Sequence, residues 1–385
     1  MAHSHTAAPA FRLLAPGAVV LLVALALYAL GAASAPMRTD EFYTVLAARS
    51  FASEGIPRIG DGVYERALAF TAIVAASLVA FGDTLFTARL PAIVPAAALA
   101  ALAFLWTRRE AGTAAAWLLV LFLVLSKSAV AVAQYSRFYA LHSLLFFVCA
   151  IGLYLLLSPP AGQRSTAWKT VIALTVAASA AFALHLQHTT LIGLAGLAAW
   201  ALIAIAVGPD FRARLASRGT VIAAAGVAFV LLVALALFVD APGVLARLYE
   251  KYRWVALWNA EHQDNARYYL QLLERQIPVF FYTYPIAVLV AIGRAPRATI
   301  FSVVLTTVAI VIHSFGGMKS LHYIHYLWPF LLLPAAVASG SLVSFVMRSL
   351  VTSAASHPAT RAIPPSRLRP AVAVAQQCVA HSLGL

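Results

Sequence analysis

Residues 88–127 read ARLPAIVPAAALAALAFLWTRREAGTAAAWLLVLFLVLSK. Two apolar runs lie on either side of a short polar segment, Thr107-Arg108-Arg109-Glu110. A run of about 20 mostly apolar residues is long enough to cross a bilayer as a helix. Arginine concentrates in the loops on the cytoplasmic side of membrane proteins. The stretch therefore predicts a transmembrane helical hairpin whose turn faces the cytoplasm.

The rest of the chain follows the same pattern. It has 385 residues, of which 63% are hydrophobic and 10% charged, whereas soluble domains carry about 25% charged residues. Further apolar runs predict an all-α, polytopic transmembrane helical bundle with about ten spans. We expect these spans at 13–35, 88–107, 113–127, 138–157, 169–185, 189–207, 220–239, 279–293, 299–313 and 326–347.

The charges orient these spans. With the N-terminus in the cytoplasm, fourteen of the 27 basic residues and two of the 13 acidic residues fall inside, and thirteen basic and eleven acidic residues fall outside. This asymmetry is what the positive-inside rule requires. The net charge of +14 is therefore interpreted as an orientation signal and not as a nucleic-acid surface. We expect a multi-pass protein of a bacterial inner (plasma) membrane, in contact with membrane lipids.

The predicted domain boundaries follow from this topology. We expect a transmembrane domain at 1–347, with long outer segments at 36–87 and 240–278, and a disordered cytoplasmic tail at 348–385. The first outer segment carries apolar residues at helical spacing among charges, which predicts amphipathic helices beside the membrane. Its apolar run Ala67–Phe81 is interpreted as an interfacial or re-entrant helix. Ala33-Ser34-Ala35 also fits a signal-peptide cleavage site, so retention of the first span is an expectation.

Polar side chains gather at the predicted outer ends of the spans, and ionisable groups at membrane depth are usually functional. Asp40 and Glu41 follow the first span, and a carboxylate there can serve as a general base, although the spacing alone favours a solvated surface pair. Arg137 and Tyr139 begin the fourth span, where arginine can bind a phosphate or simply extend to the interface. Lys319 follows a flexible glycine pair and can neutralise a phosphate or be solvated.

Histidine pairs are the candidate metal ligands. His185 and His188 are three residues apart, as are His322 and His325, which would place each pair on one helix face. Such pairs occur in divalent metal sites but also in packed, hydrogen-bonded cores, so His185 and His188 are weak metal candidates and a divalent cofactor stays open. The two cysteines have no metal-binding spacing.

Four stretches, in this order along 13–347, resemble the GT-C superfamily of membrane glycosyltransferases, in the branch of protein O-mannosyltransferases, aminoarabinose transferases and rhizobial lipopolysaccharide galacturonosyltransferases. Two differences are present. Tyr64-Glu65-Arg66-Ala67-Leu68 stands where a basic residue followed by a proline-leucine pair is usual, and His322 stands where arginine is usual. The four stretches are Thr39-Asp40-Glu41, the "FG…ARLP" run 81–91, Gln134-Tyr135-Ser136-Arg137-Phe138-Tyr139-Ala140-Leu141, and Lys319-Ser320-Leu321-His322-Tyr323 followed by Pro329.

The resemblance implies an inverting hexosyl- or pentosyltransferase that moves a sugar from a polyprenyl-phosphate donor to a lipid, polysaccharide or protein acceptor of the cell envelope, on the outer face. Lipopolysaccharide or another envelope glycan would be the product. Asp40 would be the catalytic base, assisted by Glu41. The donor phosphate would be bound by Arg137, Tyr139, Lys319 and His322.

A membrane transporter or lipid flippase without transferase chemistry is the alternative function. Transporters commonly contain internal repeats and midplane polar residues. This sequence shows no such repeat, and its charges lie at the predicted outer rim. The transferase is therefore the favoured hypothesis.

The charge pattern yields the first testable prediction. A periplasm-active reporter fused after Asn259, in the predicted outer segment 240–278, should be active, and the same reporter fused after Arg109 should be inactive. Activity in cells measures the topology directly. The reverse result would invert the proposed orientation and move Asp40 to the cytoplasmic face.

Overall fold

The computed structural model describes residues 8–157, 165–206, 265–316 and 319–356. These residues form a helical bundle with one two-stranded hairpin, β1 (Arg58–Ile59) and β2 (Gly62–Val63). The helices are α1 (Ala8–Ala29), α2 (Thr39–Glu54), α3 (Leu68–Phe81), α4 (Leu85–Ala111), α5 (Thr113–Val124), α6 (Lys127–Ala133), α7 (Tyr139–Leu157), α8 (Thr166–Leu186), α9 (Thr190–Ala206), α10 (Tyr268–Gln276), α11 (Pro278–Arg294), α12 (Pro296–Phe315), α13 (Leu321–Ile324) and α14 (Trp328–Ser356).

Nine of the ten predicted spans fall on these helices, and the span predicted at 220–239 lies outside the described residues. Among described helices, α4, α7, α8, α12 and the segment 321–350 are long and apolar enough to cross a membrane. The bent pairs α5–α6 and α10–α11 raise this number to as many as seven. The predicted all-α membrane class is confirmed, while the number of spans and the domain boundary at 347 stay predictions.

Local sequence signals explain where the helices begin and end. Thr84 caps α4, because its hydroxyl accepts the Thr87 N–H and the Thr87 hydroxyl accepts the Thr84 N–H. At the other end of α4, Arg108 and Arg109 complement the negative end of the helix dipole. Gly55 ends α2 with a φ of 74°, a left-handed conformation that glycine adopts without steric cost.

Helices α2 and α3 occupy the first predicted outer segment. Helix α3 has 14 residues, about 21 Å at 1.5 Å per residue, which is shorter than the hydrocarbon core. It packs against α2 and α4, as suits the interfacial or re-entrant interpretation. Helix α2 differs from a simple surface helix, because Phe42 and Tyr43 are exposed whereas Glu41 and Thr44 are buried.

The apolar side chains form two clusters. One joins α1, α2, α3 and the start of α7, and the other joins α9 to α14 with the rest of α7. Helices α4 and α5 contribute to both. Close packing of α5 against α14 depends on Gly340, because a Cβ there would lie 2.7 Å from the Ala115 nitrogen.

A buried ion pair fixes one end of the first cluster. Arg89, at the start of α4, donates from Nε to Glu41 Oε1 at 2.7 Å and from Nη2 to Oε2 at 2.8 Å. Its Nη1 donates to the carbonyls of Ala32 and Ala35, just after α1. Glu41 Oε1 also accepts the Ser136 N–H at 2.9 Å. One ion pair therefore joins the end of α1, the start of α2, the start of α4 and the loop before α7.

This pair predicts a large stability effect. Glu41→Gln should lower the stability by about 3–5 kcal/mol, because it leaves the buried Arg89 charge without its counterion. Thermal and denaturant unfolding in detergent, followed by circular dichroism, would measure the loss. Asp83→Asn is the matched control, since the exposed Asp83–Arg49 pair (2.9 Å) should contribute only about 0–1 kcal/mol. Equal effects of the two substitutions would contradict this role of Glu41.

Candidate active site

Asp40 and Glu41 occupy the first turn of α2, where the helix dipole favours carboxylates. Consecutive residues of a helix point about 100° apart, so the two carboxylates face different surroundings. Glu41 faces inward and is fully buried. The Asp40 side chain is 46% exposed, which leaves its carboxylate accessible to a substrate.

Arg137 forms an ion pair with Asp40 from the buried side of the site. Its guanidinium is 2% exposed and donates from Nη2 to Asp40 Oδ2 at 3.3 Å. Its Nη1 donates to Thr44 Oγ1 at 3.0 Å and to the Tyr64 hydroxyl. The Nε–H is buried and has no hydrogen-bond partner in the described part of the chain. The structure thus brings together a half-exposed carboxylate and a buried guanidinium that keeps one donor unused.

Two further arginines flank this pair, and the sequence analysis did not single them out as site residues. The Arg38 guanidinium lies 5.4 Å from the centre of the Tyr135 ring, and that of Arg66 lies 5.8 Å from the centre of the Phe138 ring. Both side chains are exposed. Arg66 interacts electrostatically with Asp40 and with Tyr323.

A signal for Arg66 was present in the sequence. Its segment is the one in which the GT-C resemblance expects a basic residue before a proline-leucine pair. Arg38 had no such signal, because an arginine that flanks a membrane span is common. Its contact with the Tyr135 ring joins residues that are 97 positions apart, so no local pattern indicates it.

Three aromatic rings line the site next to these cations. The Tyr139 ring stacks on Tyr135 at 6.1 Å and on His322 at 5.0 Å between centroids. His322 Nδ1 pairs with the Ser320 hydroxyl at 3.1 Å. Burial chiefly raises the pKa of the Tyr135 phenol, and the Asp40 carboxylate raises it further. The Tyr135 phenol is therefore neutral at physiological pH and can donate a hydrogen bond.

The structure brings four of the predicted site residues together and places Glu41 behind them. Asp40, Arg137, Tyr139 and His322 converge at the end of the bundle where α4 begins. Lys319 is 1% exposed, so it is not the solvated loop lysine that the glycine pair also allowed. Glu41 lies behind the site, with both carboxylate oxygens occupied by Arg89.

The predicted histidine pairs do not share helix faces. Helix α8 ends at Leu186, so His185 lies in its last turn and His188 in the turn that follows. Helix α13 ends at Ile324, and the buried His325 instead pairs through Nδ1 with Ser143 Oγ at 3.2 Å. In the described ranges, no three His, Cys, Asp or Glu side chains are grouped closely enough to hold a metal. Within these ranges, His185 and His188 therefore gain no third metal-ligating side chain.

Other buried histidines have packing roles that the sequence could not distinguish from ligation. His142 Nε2 pairs with Thr190 Oγ1 at 2.8 Å, and His313 Nε2 pairs with the Tyr326 hydroxyl at 3.1 Å. Each pair joins two segments of the bundle. Buried polar groups need such partners.

Comparisons with known proteins establish the fold. No family model and no curated protein sequence matches the chain. Two solved structures are similar: ArnT from Cupriavidus metallidurans bound to undecaprenyl phosphate, with a TM-score of 0.68 and 15% identity, and the same protein in the apo state, with a TM-score of 0.67 and 16% identity. Each match covers 87% of this chain but 64% and 63% of the ArnT chain, respectively.

The chain therefore spans less than two thirds of the length of these ArnT chains. At this level of identity the similarity shows the fold alone, which is a polytopic helical bundle like that of the ArnT structures.

Proposed function

We propose that this protein is an inverting glycosyltransferase that moves a hexose or pentose from a polyprenyl-phosphate donor to an acceptor of the bacterial cell envelope. The observation that carries the proposal is the Asp40–Arg137 pair. A half-exposed carboxylate lies 3.3 Å from a buried guanidinium that retains an unused donor, with Arg38 and Arg66 on either side. An accessible carboxylate that can act as a base is thus adjacent to a buried group that can bind an anion.

The cations are suited to the phosphate of the donor. Arginine binds phosphate through paired, charge-assisted hydrogen bonds. Arg137 supplies the Nε–H that has no partner among the described residues, and Arg66 lies on the accessible side. The similar fold of an ArnT crystallised with undecaprenyl phosphate supports this donor class. Tyr139 and His322 would fix the position of the donor through their ring stack.

The chemistry requires one base and one stabilised leaving group. The acceptor hydroxyl attacks the anomeric carbon while its proton passes to Asp40, and the bond between that carbon and the phosphate oxygen breaks. The electron pair stays on the phosphate, whose charge changes from −1 to −2. Guanidinium groups held in place beforehand stabilise such developing charge. Attack opposite the leaving group inverts the anomeric centre.

Glu41 has a different role in this proposal from the assisting catalyst that the sequence suggested. Its Oε1 accepts both Arg89 Nε and the Ser136 N–H. Ser136 immediately precedes Arg137. Glu41 is thus a positioning residue, which fixes the backbone from which Arg137 reaches Asp40.

The proposed orientation places the site on the outer face of the inner membrane. Arg89 and the site lie at the start of α4, whereas Arg108 and Arg109 lie in its last turn. The 27 residues of α4 extend about 40 Å, enough to cross a bilayer. With the arginine pair in the cytoplasm, as the positive-inside rule favours, Asp40 faces the periplasm.

Asp40→Asn should abolish transfer while leaving donor binding intact. The substitution preserves the shape but removes the base, which typically costs about 10²–10⁴-fold in rate. Mass spectrometry of envelope lipids and glycans, in cells whose own copy of the gene is replaced by the variant, would measure transfer. Asp83→Asn, which changes an exposed carboxylate of the same type, is the control and should behave like the parent. Normal transfer by Asp40→Asn would remove the proposed mechanism and favour the transporter or flippase alternative.

Arg137→Ala should raise the Kd for undecaprenyl phosphate about 10–100-fold, as expected for the loss of a charge-assisted hydrogen bond. Arg137→Lys should restore only part of the affinity, because one ammonium cannot replace a planar donor fork. Calorimetry on the purified protein in detergent would measure both values. Arg49→Ala and Arg49→Lys, on the exposed side of α2, are the matched controls. An unchanged Kd in both Arg137 variants would show that the phosphate binds elsewhere.

A further inference from the structure

The turn between α11 and α12 concentrates positive charge at the end of the bundle opposite the candidate active site. Arg294 lies in the last turn of α11, and Arg297 lies in the first turn of α12. Both side chains are exposed, and neither forms an ion pair within the described ranges. The two helices and the turn, residues 278–315, contain no acidic residue. The hairpin therefore cannot balance these two charges by itself.

The start of α12 increases this imbalance. The N-terminus of a helix carries partial positive charge, so a cation in the first turn is unfavourable there and an anion is favourable. Arg297 lies in this turn, which has no acidic residue and no capping side chain. Pro296 has no N–H, so the N–H groups of Arg297 and Ala298 are the first free donors of α12. Such a terminus is suited to bind an anion.

A buried hydroxyl in the same turn provides a second, independent sign of a ligand. Thr299 is fully buried, and its Oγ1 has no hydrogen-bond partner among the described residues. Farther along α12, the Thr306 and Ser314 hydroxyls donate to the carbonyls four residues earlier. Because side chains of a helix tilt toward its N-terminus, the Thr299 hydroxyl is directed to the end with the free N–H groups. Buried polar groups need a partner, and an anion bound at this terminus supplies one.

The end of α4 brings further positive charge close to this turn. The Trp106 ring lies 6.1 Å from the Phe301 ring, so the last two turns of α4 lie beside the first two turns of α12. Arg108 has a buried Nη1 without a partner in the described part of the chain. Glu110, the acidic residue of this part of α4, already accepts the Tyr154 hydroxyl at 2.7 Å. The neighbouring helix thus adds to the positive field at the turn.

The surroundings of the turn favour a lipid as the source of the anion. Leu289 and Val290 of α11 are exposed, and so is Ile300 of α12. Apolar surface of this kind lies in the hydrocarbon of a bilayer, and arginines beside it extend to the depth of the lipid head groups. A soluble anion would have no use for this apolar surface, whereas a phospholipid contacts both the surface and the charges.

We propose that the α11–α12 turn binds the head-group phosphate of an anionic phospholipid in the leaflet opposite the candidate active site. The phosphate accepts the free N–H groups at the start of α12 and pairs with Arg294 and Arg297 through charge-assisted hydrogen bonds. The acyl chains lie along the exposed side chains of α11 and α12. The bound lipid neutralises the first turn of α12 and so stabilises the folded bundle. This site does not depend on the proposed transferase function.

The test titrates the full-length protein in detergent with dioleoylphosphatidylglycerol, which is anionic, and with zwitterionic dioleoylphosphatidylcholine, and measures each Kd by native mass spectrometry. The parent should bind phosphatidylglycerol at least about tenfold more tightly. The double variant Arg294→Ala/Arg297→Ala should raise the Kd for phosphatidylglycerol about 10–30-fold, as expected for the loss of two cations near the membrane surface. Both arginines are exposed, so the fold should be retained, as size-exclusion chromatography would verify.

Thr299→Val separates lipid binding from a purely structural effect. Valine replaces an unpaired buried hydroxyl with a methyl group, so the variant should unfold at the same temperature as the parent, or a higher one, in phosphatidylcholine. Its Kd for phosphatidylglycerol should nevertheless rise about tenfold, through the loss of a hydrogen bond to a charged group. An unchanged Kd, or a lower unfolding temperature in phosphatidylcholine, would overturn the role of Thr299 in the site.

Arg267→Ala/Arg275→Ala is the matched control, because it removes the same charge from two exposed arginines at the two ends of α10. It should bind phosphatidylglycerol like the parent. The site would be overturned if Arg294→Ala/Arg297→Ala kept the parental Kd, or if both double variants weakened binding equally. Inorganic phosphate is the second probe. If it raised the unfolding temperature of the parent as much as phosphatidylglycerol does at the same concentration, the ligand would be a soluble anion and the lipid assignment would be wrong.

Discussion

The ion pair of Arg89 and Glu41, joined by two hydrogen bonds, is the interaction on which one end of the bundle depends. Both side chains are almost completely buried, so the desolvation of two charges must be offset by good geometry. The geometry meets this demand: the carboxylate also receives the Ser136 N–H, and the guanidinium also binds carbonyls that follow α1. Four chain segments acquire one fixed arrangement. The same arrangement fixes the positions of Asp40 and Arg137, because Asp40 precedes Glu41 and Arg137 follows Ser136.

Two adjacent carboxylates thereby perform opposite tasks. Asp40 and Glu41 differ by one position and one methylene group, yet the helical turn directs one to the surface and the other to the interior. The buried residue joins four segments of the scaffold, whereas the accessible residue is the proposed base. Because the scaffold depends on Glu41, the Asp40 carboxylate can stay half exposed without a cost to the packing of the bundle.

The sequence could predict those features of the fold and the site that depend on residues close together in the chain. Apolar runs placed nine spans on observed helices, because a bilayer demands length and hydrophobicity from each segment alone. The grouping of Asp40, Arg137, Tyr139 and His322 followed from their common depth and from a family resemblance. The sequence analysis assigned Glu41 an assisting catalytic role because it could not detect the ion pair with Arg89. The two residues are 48 positions apart, and no local sequence pattern joins them. The histidine pairs failed for a related reason: α8 ends one residue after His185, which spacing alone does not reveal. The place of Arg38 beside the site depends on its tertiary contact with Tyr135, which the sequence does not reveal.

The ring stack at the site crosses the boundary between early and late parts of the chain. Tyr135 and Tyr139 belong to the first apolar cluster, whereas His322 comes from the segment that leads into the last helix. Membrane proteins are synthesised from the N-terminus, and their parts fold as they emerge. The Glu41–Arg89 pair can form once Ser136 has been made, but the stack must wait for nearly two hundred further residues. The ring stack beside the candidate active site is therefore completed only after most of the bundle has been synthesised.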